Sequence, residues 1–198
     1  MSAEVRERAA RRDRYVNWVV IGVTVLALIL GWLVKVAAEG RTVLYEGDGL
    51  SAQYPAEWVR AKVQAPVLLQ LEDRWAVPYR TTLRLERRPA PTGMEKILST
   101  VYNTLALERG RGWTAYRVLA SDGSVEVAGT IGMHLTFAYV ETNPNPFLET
   151  VPVVMYGEDY LFPIGDQVYV ATLTAAEANY PEVRKALSVF LRSLEVSD

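Results

Sequence analysis

Apolar and polar residues alternate with different periods along this chain, and each period predicts a different element. From Tyr15 to Val34 no side chain ionises except the Tyr15 phenol, and the interior is Val, Ile, Leu, Ala and Gly. Twenty residues at a rise of about 1.5 Å make a helix of about 30 Å, the hydrocarbon thickness of a bilayer. The run predicts a transmembrane helix over 15–36, with Tyr15, Trp18 and Trp32 at headgroup depth and Lys35 at its end. Beyond a linker at 37–41 the period drops to two. Thr42–Glu46 and Leu50–Tyr54 flank Gly47-Asp48-Gly49 and predict a hairpin, followed by a strand at Val67–Leu71. In Tyr79–Arg87, Tyr79, Thr81, Leu83 and Leu85 alternate with Arg80, Thr82, Arg84 and Glu86, predicting a strand with one wet face.

The period then lengthens. Met94, Ile97, Leu98, Val101, Tyr102 and Leu105 recur at helical spacing, with Thr92 and Glu95 as a capping box and Gly110 and Gly112 at the end. Strands are predicted again at Ala115–Ser121 and Ser124–Ala128, joined by an Asp122-Gly123 turn, then at Ile131–Glu141 and Thr150–Asp159. Tyr160–Pro163 folds onto Gln167–Thr174 around Gly165-Asp166. A last helix begins near Pro181 and buries Val183, Leu187, Phe190, Leu191 and Leu194. Strands, helix, strands, helix is the order of an α+β fold, a mostly antiparallel sheet with helices packed on it.

Two stretches carry a family resemblance. Gly49-Leu50-Ser51-Ala52-Gln53-Tyr54-Pro55-Ala56-Glu57-Trp58 resembles the strand and Tyr-Pro-x-x-Trp opening of PsbP-like domains. Gly165–Ala175, with the helix closing on Phe190-Leu191-Arg192-Ser193-Leu194, is similar to their far end. The likeness spans roughly residues 40–196 in element order. It implies an antiparallel α/β sandwich for 42–198 and Trp58 as an aromatic plug in its core. The best-known member of that family is an extrinsic subunit on the lumenal side of photosystem II, and bacterial relatives are often lipoproteins or tethered domains. A transmembrane anchor in place of a cleaved transit peptide sets this chain apart, and fold transfers between such relatives better than function.

Charge adds an orientation. Residues 1–14 carry five arginines (Arg6, Arg8, Arg11, Arg12 and Arg14) against three acids, whereas from Glu39 onward 15 bases face 20 acids. Arginines before the apolar run place 1–14 in the cytoplasm as a basic tail, with Arg11, Arg12 and Arg14 at the membrane interface. The domain at 42–198 is then extracytoplasmic, on the periplasmic side of a bacterial-type cytoplasmic membrane crossed once. A signal peptide cleaved near Val36-Ala37-Ala38 is the rival reading. The length of the apolar core and the intrusion of Lys35 favour a retained anchor. A net charge of −2 gives no basic field for nucleic acid.

Chemistry is scarce. With no cysteine and a single histidine, His134, neither thiolate sites nor His-pair zinc sites are available within the chain. No catalytic, cofactor or metal residues are expected. His134 is expected on the sheet surface or hydrogen-bonded, with no partner indicated. Glu72-Asp73 and Glu158-Asp159 are expected as solvated acids, because neighbours on a strand point to opposite faces. Arg80, Arg84, Arg87 and Arg88 form a basic patch. It offers a contact for an acidic partner or lipid headgroups, but the favoured reading is a charged strand edge that discourages aggregation. Thr142-Asn143-Pro144-Asn145-Pro146-Phe147 is a loop stiffened by two prolines. It is either a protein contact through Asn143–Phe147 or a long connection with Phe147 folded inward.

These residues predict a non-catalytic accessory subunit that stabilises a larger membrane complex from its extracytoplasmic side. The resemblance points to photosynthetic or respiratory electron transfer. Its partners would be integral-membrane subunits and the lipid bilayer, met through Asn143–Phe147, Arg80 and Arg84. The alternative is a free-standing tethered domain that binds a small ligand, lipid or cell-wall component.

Overall fold

Period-two patterning in the second part of the chain becomes one large antiparallel sheet. A computed structural model describes residues 18–35, 41–90, 97–142 and 151–196, and the chain divides into two units, 1–41 and 42–198. The described part of the first unit is helix α1, Trp18–Lys35. Trp18 opens it, Trp32 lies in its last turn and Lys35 closes it. The predicted interface residues Arg11, Arg12, Arg14 and Tyr15 lie outside the described residues.

The second unit contains β1 (Thr42–Gly47), β2 (Leu50–Pro55), β3 (Val59–Arg60), β4 (Val67–Asp73) and β5 (Thr81–Pro89), then helix α2 (Ile97–Gly112). There follow β6 (Thr114–Val127), β7 (Thr130–Glu141), β8 (Val153–Ile164), β9 (Gln167–Ala176), helix α3 (Tyr180–Ser193) and β10 (Glu195–Val196). Seven strands pair in the order β3-β4-β5-β9-β8-β7-β6, and β1-β2-β10 form a small second sheet. All pairings are antiparallel.

Each face of the large sheet has its own cover. Leu83 and Leu85 of β5, Phe162 of β8, and Tyr169, Ala171 and Leu173 of β9 point toward α3 and the small sheet. Trp58 is 6% exposed in this layer, seated as the aromatic plug that its motif predicts. Leu187, Phe190 and Leu194 close it from above. On the opposite face, Leu135 of β7, Leu161 of β8, and Val168 and Val170 of β9 meet Val101 and Leu105 of α2. Burying each large apolar side chain contributes about 1.5–3 kcal/mol. Two opposed covers on one sheet make the α+β sandwich that the element order predicts.

Besides the unexpected two-residue β3, three elements depart from the sequence expectation. Asp122-Gly123 does not turn the chain: β6 runs through it for 14 residues. The Asp122 carboxylate accepts the Ser124 N–H at 3.1 Å, and the register shifts between Asp122 and Val125. The extra residue is absorbed as a bulge, which keeps more backbone groups paired along β7 than an early turn would. The reversal comes at Ala128-Gly129, where φ is 49° and 75°. Both residues are left-handed, as a two-residue hairpin of this twist requires, and glycine takes that conformation without strain. The segments expected separately at Thr150–Asp159 and Tyr160–Pro163 are joined in the single strand β8, which begins only at Val153; Thr150 lies outside the described residues. The short β10, not expected at all, pairs Glu195 and Val196 with Ser51 and Leu50.

Candidate functional site

Two adjacent acids on β8 organise the polar interior. Glu158 and Asp159 point to opposite faces, as their positions on a strand require. Neither is a solvated loop acid, because they are only 1% and 2% exposed. Asp159 faces α2 and takes a two-pronged hydrogen bond from Arg109: Nη1 to Oδ2, and Nη2 to Oδ1 at 2.9 Å. The Thr172 hydroxyl donates to the same carboxylate at 2.7 Å and accepts from Arg109 Nη2 at 3.1 Å. Burial alone would lower the Arg109 pKa, and the Asp159 charge overrides it and drives the pKa up. The guanidinium also lies over the rings of Trp113, at 5.1 Å, and Phe137, at 4.6 Å.

Glu158 faces α3. Its carboxylate accepts from the Tyr180 hydroxyl, from the Tyr160 hydroxyl at 3.3 Å and pairs with Arg184 Nε at 2.7 Å. His134 therefore has a partner. Its ring stacks on Tyr160, centroids 4.4 Å apart, and Nε2 lies 3.4 Å from Glu158 Oε2, without hydrogen-bond alignment. Burial pushes Glu158 upward, but His134, Tyr180 and the Arg184 charge outweigh it and hold the carboxyl below its ordinary value. The Tyr180 phenol is pushed up, first by burial and then by its bond to Glu158.

Between the second half of α2 and the sheet lies a cleft of ≈ 660 Å³. α2 packs chiefly on β6, β8 and β9, and the face of β5 that carries Thr82, Arg84, Glu86 and Arg88 forms the floor, tied to α2 through Arg88 and Glu108. Trp113 and Tyr139 form an aromatic wall, stacked with centroids 4.3 Å apart. Burial, then the Glu141 charge, pushes the Tyr139 phenol up to about 12. Glu86 is nearly buried between two cations. Arg84 Nε approaches it at 2.9 Å without hydrogen-bond alignment, while Arg88 bonds to it and also to Glu108, through Nη2 at 3.0 Å in each case. The hydrogen bond from Arg88 holds Glu108 below the ordinary carboxylate value.

The structure thus reinterprets the arginine patch. β5 lies between β4 and β9, so it is no charged edge. Arg80, Arg84 and Arg88 line the cleft, with Arg80 bonded to Glu72 at 3.1 Å. The other candidate contacts, Asn143, Pro144, Asn145, Pro146 and Phe147, lie outside the described residues. Their flanks, Glu141 of β7 and Val153 of β8, pair at the α3 N-terminal end of the sheet. Sequence reasoning missed Arg109, Trp113 and Tyr139. One signal was present: Arg109 falls four residues after Leu105 on the apolar stripe of α2, where a cation demands a buried acid.

No family model and no curated sequence matches the chain. Solved structures do. The solution structure of cyanobacterial PsbP (CyanoP) from Synechocystis sp. PCC 6803 aligns with a TM-score of 0.57 at 14% identity, covering 78% of this chain and 92% of that one. The Ran-binding protein Mog1p of Saccharomyces cerevisiae aligns with a TM-score of 0.52 at 13% identity, covering 80% and 96%. The domain has a PsbP/Mog1-like fold. At these identities the likeness establishes the fold alone. Among the described residues, no group of three or more His, Asp or Glu side chains is placed to hold a metal ion. In the first unit, α1 is long and apolar enough to cross a membrane, which fits an anchor or a signal sequence.

Proposed function

We propose that this chain is a non-catalytic accessory subunit of a larger membrane complex, anchored by α1, with its PsbP/Mog1-like domain on the extracytoplasmic face. The observation that carries this reading is the state of the buried charge. Asp159, Arg109 and Glu158 are all engaged in joining helices to the sheet, which is the chemistry of a scaffold rather than of a proton-transfer site. The fold supports the same direction: one neighbour is PsbP and the other is a Ran-binding protein. An electron-transfer assembly is the first complex to examine. The arginines ahead of α1 support a cytoplasmic N-terminus, and the loop at 143–147 is the first docking segment to probe.

The cleft favours a second reading, a tethered domain that holds a small polar ligand against Trp113 and Tyr139. Purification from native membranes in mild detergent, with crosslinking beforehand, separates the two. An accessory subunit comigrates with, and crosslinks to, larger cofactor-bearing chains, and its deletion lowers their yield while leaving their spectra unchanged. A monomeric species with no crosslinks at normal expression refutes the accessory role and leaves the tethered binder.

A further inference from the structure

The loop from β4 to β5 ends in an exposed apolar tip. Trp75 is 84% exposed and Val77 is 75% exposed, and Pro78 beside them is exposed as well. The backbone beneath is braced on both sides. The Asp73 carboxylate accepts the Trp75 N–H at 2.9 Å, and the Asn179 side-chain amide donates to the Val77 carbonyl at 2.9 Å. The indole and isopropyl groups are therefore held outward on a pinned loop, not folded onto the core. Arg74 is exposed on one side of the tip, and Arg80, 62% exposed though paired with Glu72, stands on the other.

We propose that this tip docks on the bilayer that α1 crosses, with Trp75 and Val77 in the headgroup layer and Arg74 and Arg80 against lipid phosphates. The proposal rests on reading α1 as a retained membrane helix. Three observations select a bilayer as the occupant. Tryptophan's amphipathic ring favours the headgroup boundary over either bulk phase. The flanking cations complement an anionic lipid surface. Only six residues separate Lys35 from Thr42, a connection that spans at most about 25 Å even when fully extended. The tether therefore keeps the domain at high effective concentration near the surface, so a weak two-residue contact is enough to hold it there. Bracing lowers the entropy lost on insertion.

The chain has no cysteine, so a Val77→Cys variant offers one thiol for an environment-sensitive fluorophore. The full chain is reconstituted into phosphatidylcholine vesicles containing phosphatidylglycerol, and flotation is measured alongside emission. Docking predicts blue-shifted emission at position 77, and loss of most of that emission when headgroup-level spin-labelled lipids are included. Both signals should weaken in an Arg74→Glu, Arg80→Glu background. A probe at Leu119→Cys on β6, where the native side chain is 52% exposed, should report water throughout. A chain that does not float refutes the membrane-helix reading and the docking with it. A floating chain whose probe at 77 reads water overturns the docking alone. So does a probe shielded only in native membranes and untouched by spin-labelled lipid, which assigns the tip to a protein partner.

Discussion

Substituting Asp159 by Ala removes one member of a buried pair and leaves the other in place. Arg109 is 8% exposed, so water cannot replace the lost carboxylate. Breaking such a pair from one side costs about 3–5 kcal/mol. Two residual interactions soften the loss here: the Thr172 hydroxyl at 3.1 Å, and the Trp113 and Phe137 rings within about 5 Å of the guanidinium. The expected cost therefore sits at the lower end, about 3 kcal/mol. At about 2–4 °C per kcal/mol for a domain of this size, the melting temperature should fall by about 6–12 °C. Circular dichroism melts of the full chain in detergent at neutral pH read this directly. Removing both charges, with Arg109→Met and Asp159→Ala together, should recover more than half of the loss, since no orphaned cation remains. A single variant that melts within experimental error of its parent refutes the reasoning. So does a double variant whose loss is the sum of the two singles.

Glu158 is held below its ordinary value of 4.5, so its contribution to stability is present above that pH and lost as pH falls through the lower folded value. Urea midpoints measured across the acid range should drop for the parent, while a Glu158→Gln chain should start about 1–3 kcal/mol lower at neutral pH and fall less steeply; parallel curves count against this role. A β-carbon at Gly157 would overlap the Phe137 ring, so Gly157→Ala should cost about 1–3 kcal/mol or more, and adding Phe137→Leu should return part of it. Truncating Trp58 to Ala should cost about 3–5 kcal/mol, and a variant as stable as its parent would show that the ring is no plug.

Much of the architecture is visible in periodicity because burial imposes it residue by residue. The alternation of Met133, Leu135, Phe137 and Tyr139 marks the face of β7 toward α2, and the stripe of α2 marks the surface that meets it. Local turn chemistry misled where pairing competed with it: Asp122-Gly123 has the residues of a hairpin, yet β7 offered a longer run of backbone partners. The polar interior was harder to read because its meaning lies in pairs distant in sequence. Glu158 and Asp159 look like surface acids until Arg184 and Arg109, 26 and 50 residues away, are brought against them. The cleft emerges only from packing, since its floor on β5 and its wall on α2 are distant in sequence. Trp75 is not singled out by the sequence, because its exposure depends on the bracing of its loop by Asn179, about a hundred residues on.

The two acids of β8 also act as a registration mark. Side chains on a strand alternate with a period of two, so sliding β8 by one residue against β9 would exchange the destinations of Glu158 and Asp159. Arg109 and Arg184 would then each face an acid of the wrong length or none, and Gly157 or Tyr160 would take the vacated place. Burial alone opposes such slips less than it would on a half-exposed strand, because Leu161 and Phe162 both lie in buried layers. Adjacent carboxylates committed to opposite helices reject the displaced pairing twice over, and so count off the alignment of the central strands during folding.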